Sequence, residues 1–323
     1  MTSDELKNNL HSILEQDAIG VIAYAVLKSN NDYSLKKLDI TNEAEDKLID
    51  ALSANISSLL YSLEENDEYR VIDLSAADDR ATAIYQYDLD QRPPFFDSFD
   101  EILTHRENDY FIEENNRIFN FSNDNLAEID GVILEFGSMG NSILIYRKNY
   151  SVNLFKQDKI FLIKSSDTRF KAIENDFLRI DAKIDFFRIG DSVLINNIDA
   201  LEKYCEFHQI IKAEATRSLG CIAHLDILEN MTCLEERLDE LPFARKLTKI
   251  STSSPVFNLP KRTIIDFAKQ HALLKSKFHF TGNDTIVLQT KKEQDLFVRL
   301  LNDDFLHSEL TQFDYMTPAK DKL

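Results

Sequence analysis

At 323 residues the chain can hold two ordinary domains, and with 43% hydrophobic and 10% aromatic residues it has the material for packed cores rather than disorder. Three cysteines argue against a disulfide framework, and no fixed-period repeat is visible. The net charge of −19 is laid out unevenly: residues 1–240 carry 24 Lys/Arg against 47 Asp/Glu, whereas residues 241–299 carry 11 against 4.

The N-terminal stretch MTSDELKNNLHSILEQD is polar and acidic, which is not the pattern of a secretory signal. The apolar run 18–27 is too short to span a bilayer and reads as a strand, so the expected location is cytoplasmic. Residues 18–28 and 33–40 are β-rich runs split by Ser29-Asn30-Asn31-Asp32, a hairpin turn. A helix is predicted over about 42–63, with Asn42 as its cap, Glu45 three residues on, and Leu48, Leu52, Ile56, Leu59 and Leu60 at helical spacing. Residues 69–74 and 82–89 read as strands, and Arg92-Pro93-Pro94 forces a break. Around it lie Asp88, Asp90, Asp97, Asp100 and Glu101, an acidic surface on which Phe95 and Phe96 could anchor a partner.

From 126 to 188 the pattern is strongly β. Runs 131–136 and 142–147 flank a Gly-rich hairpin loop, and 152–154, 159–164 and 177–187 add extended segments, together expected to form one antiparallel sheet. Residues 196–250 turn helical, with Asn196 or Asn197 as the cap. Pro260 opens a helix expected to reach Leu274, a hairpin turns over Thr281-Gly282-Asn283-Asp284, and a helix over 291–301 follows. This order gives an α+β fold: an acidic mixed N-terminal domain over 1–125 and a C-terminal domain over 126–323, in which strands precede helices.

Two short constellations could carry chemistry. Cys205-x2-His208 and Cys221-x2-His224 supply four zinc-competent side chains, but in no standard module, and the same residues suit ordinary apolar helix faces. Asp181-Ala-Lys183 with Asp185 fits the acidic-x-Lys core of a Mg²⁺-dependent nuclease. Ile180, Ala182, Ile184 and Phe186 alternate against them, however, and a half-buried strand would put the polar set on its solvated face. Neither a metal nor a cofactor is expected.

The basic block is the sharper signal. Arg245, Lys246 and Lys249 share the outward side of a helix whose Phe243, Leu247 and Ile250 face inward. Lys261 and Arg262 open the next helix, where free backbone N–H groups favour phosphate, and Lys269 lies on the same helix. Lys275, Lys277, Lys291 and Lys292 bracket the last hairpin, and Arg299 ends the block. Basic side chains spread irregularly over several elements suit contact with backbone phosphates rather than base reading. The alternatives are a merely solvated face, or a docking surface for an acidic protein.

The stretch IDAKIDFFRIGDSVLINNIDALEKYCEFHQII, the later FARKLTKISTSSPVF and the tail TKKEQDLFVRLLNDDFLHSELTQFDYMTPAKDKL resemble the KwaB family, soluble components of the two-gene Kiwa anti-phage systems. The resemblance covers roughly 130–323; the first 130 residues match only in length and general character. It implies a dimeric DNA-binding effector that works with the small membrane protein KwaA and interferes with phage DNA replication and late expression; the function expected of this chain is accordingly a non-enzymatic effector, recruited to the inner membrane through that partner. DNA contact is then expected through Arg245, Lys246, Lys249, Lys261, Arg262, Lys269, Lys275, Lys277, Lys291 and Lys292. The runner-up is a Mg²⁺-dependent nuclease using Asp181, Lys183 and Asp185.

Overall fold

The computed structural model describes residues 1–30, 32–66, 69–74, 83–107, 118–138, 140–149, 162–166, 168–172, 178–307 and 313–316. The elements in chain order are α1 (Ser3–Leu14), β1 (Gly20–Ser29), β2 (Asp32–Lys37), α2 (Asn42–Glu65), β3 (Val71–Asp73), β4 (Ile84–Gln86), α3 (Asp97–Glu107), β5 (Ile129–Ser138), β6 (Asn141–Lys148), β7 (Leu162–Ser166), β8 (Arg169–Ala172), β9 (Phe186–Ile189) and β10 (Ser192–Ile195). There follow α4 (Ile198–Tyr204), α5 (Phe207–His224), α6 (Thr232–Glu235), α7 (Leu241–Ser253), α8 (Lys261–Gln270), α9 (Ala272–Lys277), β11 (His279–Phe280), β12 (Ile286–Val287), α10 (Lys291–Leu301), β13 (Phe305–His307) and β14 (Asp314–Met316). Helices and strands that alternate only in part, around an antiparallel sheet, make this an α+β fold.

The chain divides into two units, Met1–Val71 with Thr82–Gln86 and Pro93–Leu201, and Ile72–Ala81 with Tyr87–Arg92 and Glu202–Leu323. The expected boundary at 125/126 is therefore corrected. Strand β1 pairs along its length with β5, from Gly20↔Gly137 to Leu27↔Ile129, so residues on both sides of 125 share one hydrogen-bonded ladder.

The first unit is built on a sheet of order β2-β1-β5-β6-β9-β10-β4-β3, antiparallel in every pairing from β2 to β4. Because side chains alternate along a strand, Val132, Leu134 and Phe136 of β5 and Ile143 and Ile145 of β6 turn to one face. There they meet Leu6, Leu10 and Ile13 of α1 and Leu52, Ile56 and Leu63 of α2. The α1 helix opens with a capping box, Thr2 Oγ1 accepting from Glu5 N–H and Glu5 accepting from Thr2 N–H. The α2 cap is Thr41 rather than Asn42, and Glu45 accepts from the Val21 N–H at 3.2 Å instead of closing a capping box.

On the other face Phe95 and Phe96 are each 1% exposed, packed among Tyr146 and Phe186, with centroid separations from Phe95 of 4.5 and 5.3 Å. They are core aromatics, not exposed anchors, because the turn at Pro94–Phe96 folds them under the sheet. Gly131 on this face leaves room for Tyr146, whose ring atoms would lie about 2.4 Å from a Cβ there. Gly131→Ala is expected to cost about 1–3 kcal/mol in a urea titration, because a stiff ring in a packed layer must move.

The single sheet expected over 126–188 is smaller than anticipated. Strands β5, β6 and β9 belong to it, β7 and β8 form a separate hairpin, residues 179–184 are not strand, and 152–154 lie outside the described residues.

In the second unit α5 buries Phe207, Ile211, Ala215, Leu219 and Ile222, and packs against α7, which buries Phe243, Leu247 and Ile250. Helix α10 adds Leu296, Phe297 and Leu300 to the buried set and begins with its own capping box, Thr290 with Glu293. The hairpin β11–β12 pairs His279↔Val287 and Phe280↔Ile286. The helix expected from Pro260 to Leu274 is two, α8 and α9, broken at His271.

Candidate nucleic-acid interface

The inward stripe of α7 forms as expected and leaves Arg245, Lys246 and Lys249 half-buried beside it. Of the ten candidate residues, however, five are already held by carboxylates. Arg245 pairs with Glu202, Lys261 with Asp226 at 2.8 Å, Arg262 with Asp266 at 3.6 Å, Lys269 with Asp284 at 2.5 Å, and Lys291 with Glu240 at 2.5 Å. The Lys269 hydrogen bond and charge, with Arg262 and Lys261 further off, hold the Asp284 carboxyl below its ordinary range. Three cations thus meet three acids (Asp226, Asp266, Asp284) near the turn of the β11–β12 hairpin, and that surface is close to neutral. Asp284→Asn releases Lys269 and is expected to raise DNA affinity about two- to threefold in fluorescence anisotropy at low salt, by unmasking one phosphate contact.

The other end of the hairpin differs. Lys277 leads into β11, and Lys291 and Lys292 follow β12, so all three lie at the open end, opposite the turn, with Lys275 one helical step before. Lys275, Lys277 and Lys292 are exposed and have no ion-pair partner among the described residues. Lys246 has none either, but sits apart: its carbonyl accepts from Asn302 at the far end of α10.

Sequence reasoning missed Arg237, which lies in an acidic stretch outside the basic block and carries no local signal. Its guanidinium reaches Glu240 at 3.0 Å, Gln294 at 3.1 Å, Asp295 at 3.2 Å and the Lys291 carbonyl at 3.2 Å, and lies 3.8 Å over the Phe243 ring. It ties α7 to the start of α10 and so fixes where Lys292 projects. Hydrogen bonds from Lys291 and Arg237 hold the Glu240 carboxyl below its ordinary range.

Cys205 and His208 stand at the start of α5, and Cys221 and His224 in its last turn. At 1.5 Å per residue His208 and His224 are about 24 Å apart along α5, with Cys205 just before the helix, so the two pairs cannot share an ion. Asp185 is 1% exposed rather than on a solvated strand face. Its oxygens accept from Arg147 Nη1 at 2.8 Å, the Lys148 N–H at 2.9 Å and Asn197 Nδ2 at 2.7 Å, while Asp181 faces Arg147 Nε at 2.7 Å. Nuclease carboxylates must offer oxygens to a divalent ion; these two are engaged by a guanidinium, a partner nothing in the local motif announced. Lys183 is exposed and takes no part in that network beyond its backbone N–H, which donates to Asp181.

An antiparallel sheet unit and a helical unit, the latter with exposed lysines that have no ion-pair partner among the described residues, define a two-unit α+β protein. Comparison with known proteins gives its family: the model for Kiwa protein KwaB-like sequences matches residues 126–311, and the chain belongs to that family. It is 28% identical over 329 residues to the Kiwa protein KwaB of Escherichia coli O55:H7 (strain RM12579 / EPEC), an alignment that covers 100% of this chain and 99% of that one. No solved structure matches. The protein's role accordingly lies in the Kiwa anti-phage defence system. Among the described residues no helix is long and apolar enough to cross a membrane.

Proposed function

We propose that this protein is a non-enzymatic DNA-binding effector of anti-phage defence, which occupies phage DNA through its second unit and blocks replication and late transcription by steric obstruction. It acts as a homodimer with the membrane protein KwaA, which draws it from the cytoplasm to the inner membrane. The observation that carries the reading is the set Lys275, Lys277 and Lys292: exposed and without a carboxylate partner among the described residues, in a chain of net charge −19. Side chains of that kind are ready to exchange counterions for phosphates, and the acidic remainder confines a polyanion to their surface.

The test is fluorescence anisotropy with duplex and forked DNA across a salt series, with and without Mg²⁺. Tight binding that falls steeply with salt, with the DNA intact, is the expected outcome. Absence of binding at low salt would overturn the DNA reading and favour a protein docking surface. Mg²⁺-dependent cleavage would overturn the non-enzymatic reading.

A further inference from the structure

The first unit holds a polar pocket of about 410 Å³ that the DNA reading does not use. Its floor is a rigid hydrogen-bonded frame. Asp185 is fixed by Arg147, the Lys148 N–H and Asn197, Asn197 Oδ1 accepts from the Ala200 N–H at 3.2 Å, and Asn196 donates to the Ile184 carbonyl at 3.0 Å while accepting from Tyr69 Oη at 2.9 Å. One wall is a polar stripe of α2, where Asn55, Ser58 and Ser62 follow one another at helical spacing along the edge of the helix's buried apolar side.

The charge of this lining runs against its surroundings. Arg147 and Lys183 face the pocket with Asp185 as the only carboxylate, in the part of the chain where acids outnumber bases about two to one. Asp185 already accepts from three groups, so a cation could enter only by displacing a buried guanidinium. The Lys183 ammonium, in contrast, has no hydrogen-bond or ion-pair partner among the described residues, because its neighbour Asp181 is taken by Arg147. A pocket with one uncommitted cation, hydroxyls beside it and a saturated carboxylate beneath suits an oxyanion, and its volume suits a molecule no larger than a mononucleotide.

We propose that this pocket is a binding site for a small phosphate-bearing ligand, with Lys183 as the group that recognises the phosphate and the Ser58 hydroxyl as a neutral donor to it, the Ser62 hydroxyl being already committed to the Ser58 carbonyl at 2.9 Å. The inference is independent of DNA binding: it concerns the other unit and other residues.

The experiment is isothermal titration calorimetry with AMP, inorganic phosphate and adenosine at low ionic strength. It uses the full chain carrying Lys275→Gln, Lys277→Gln and Lys292→Gln, so that the second unit's free lysines contribute no heat. AMP is expected to saturate one site. Adding Lys183→Gln should weaken it at least about tenfold, the worth of a charge-assisted hydrogen bond, while Lys183→Arg keeps it within about threefold. Inorganic phosphate binding as tightly as AMP assigns the pocket to a free oxyanion, and weaker binding assigns it to a phosphate ester; either supports the site. Equal binding by the Lys183→Gln protein, adenosine binding as well as AMP, or no saturable heat from AMP and phosphate would overturn it. Lys183 is exposed and outside the buried network, so its replacement leaves the fold intact.

Discussion

Reversing Lys275, Lys277 and Lys292 to Glu together lowers duplex-DNA affinity on the order of a hundredfold at moderate salt, and lowers the slope of log K against log salt by about 3. The slope follows from counterion release of about 0.9 per phosphate contact, with three contacts removed. The affinity falls further because each reversal puts a repelling charge where an attracting one stood. The comparison that gives the experiment its force is Lys261→Glu with Arg262→Glu. Both cations stand in the helix-start position that favours phosphate, yet Asp226 and Asp266 hold them, so a phosphate must first compete with a carboxylate. Their reversal is expected to cost only about three- to tenfold. Equal losses from the two variants would show that ion pairing does not grade this surface. Larger losses from Lys261 and Arg262 would move the contact to the hairpin turn.

Asp185→Ala destabilises the first unit by about 3–5 kcal/mol, read as a shift in the urea midpoint by circular dichroism at constant m-value. The carboxylate is buried and holds the Arg147 guanidinium, the Lys148 N–H and the Asn197 amide at 2.7–2.9 Å. Removing it takes one of the two carboxylates from a largely buried guanidinium, leaving Asp181 alone to pair it, and strips the Lys148 N–H and the Asn197 amide of their acceptor, and desolvation of these groups dominates the cost. Asp181→Ala is the control. It keeps the Asp185 pair, lies nearer the solvent, and is expected to cost about 1 kcal/mol. Arg147→Met with Asp185→Leu should recover more than half of the single-variant loss, because it removes both buried charges and leaves only Asp181, which lies nearer the solvent, without its partner. A loss for Asp185→Ala no larger than that for Asp181→Ala would mean that the guanidinium finds water or another partner.

Much of the fold was legible in the chain before its structure. The hairpin over residues 29–32, the helices at 42–65 and 291–301 and the strands flanking 137–141 follow from local spacing and turn residues, and each stands within a few residues of its expected place. The α1 helix is written there as well, in Thr2-x-x-Glu5 followed by Leu6, Leu10 and Ile13. What misled was strict alternation over 180–186. Period two says which residues share a face if the segment is a strand; it does not say that the segment is one, and here a loop turns Asp185 into the core.

The sequence by itself determined the α+β class, the family and the segregation of positive charge into one block, because periodicity, motif order and charge are properties of neighbouring residues. Only the tertiary structure decided which of those charges are available. Asp226 meets Lys261 across 35 positions, Glu240 meets Lys291 across 51, and Arg147 meets Asp185 across 38. Such pairings depend on how distant segments are brought together, and between exposed charges the interaction is screened beyond a Debye length of about 8–10 Å, so it is the fold and no local pattern that discloses them.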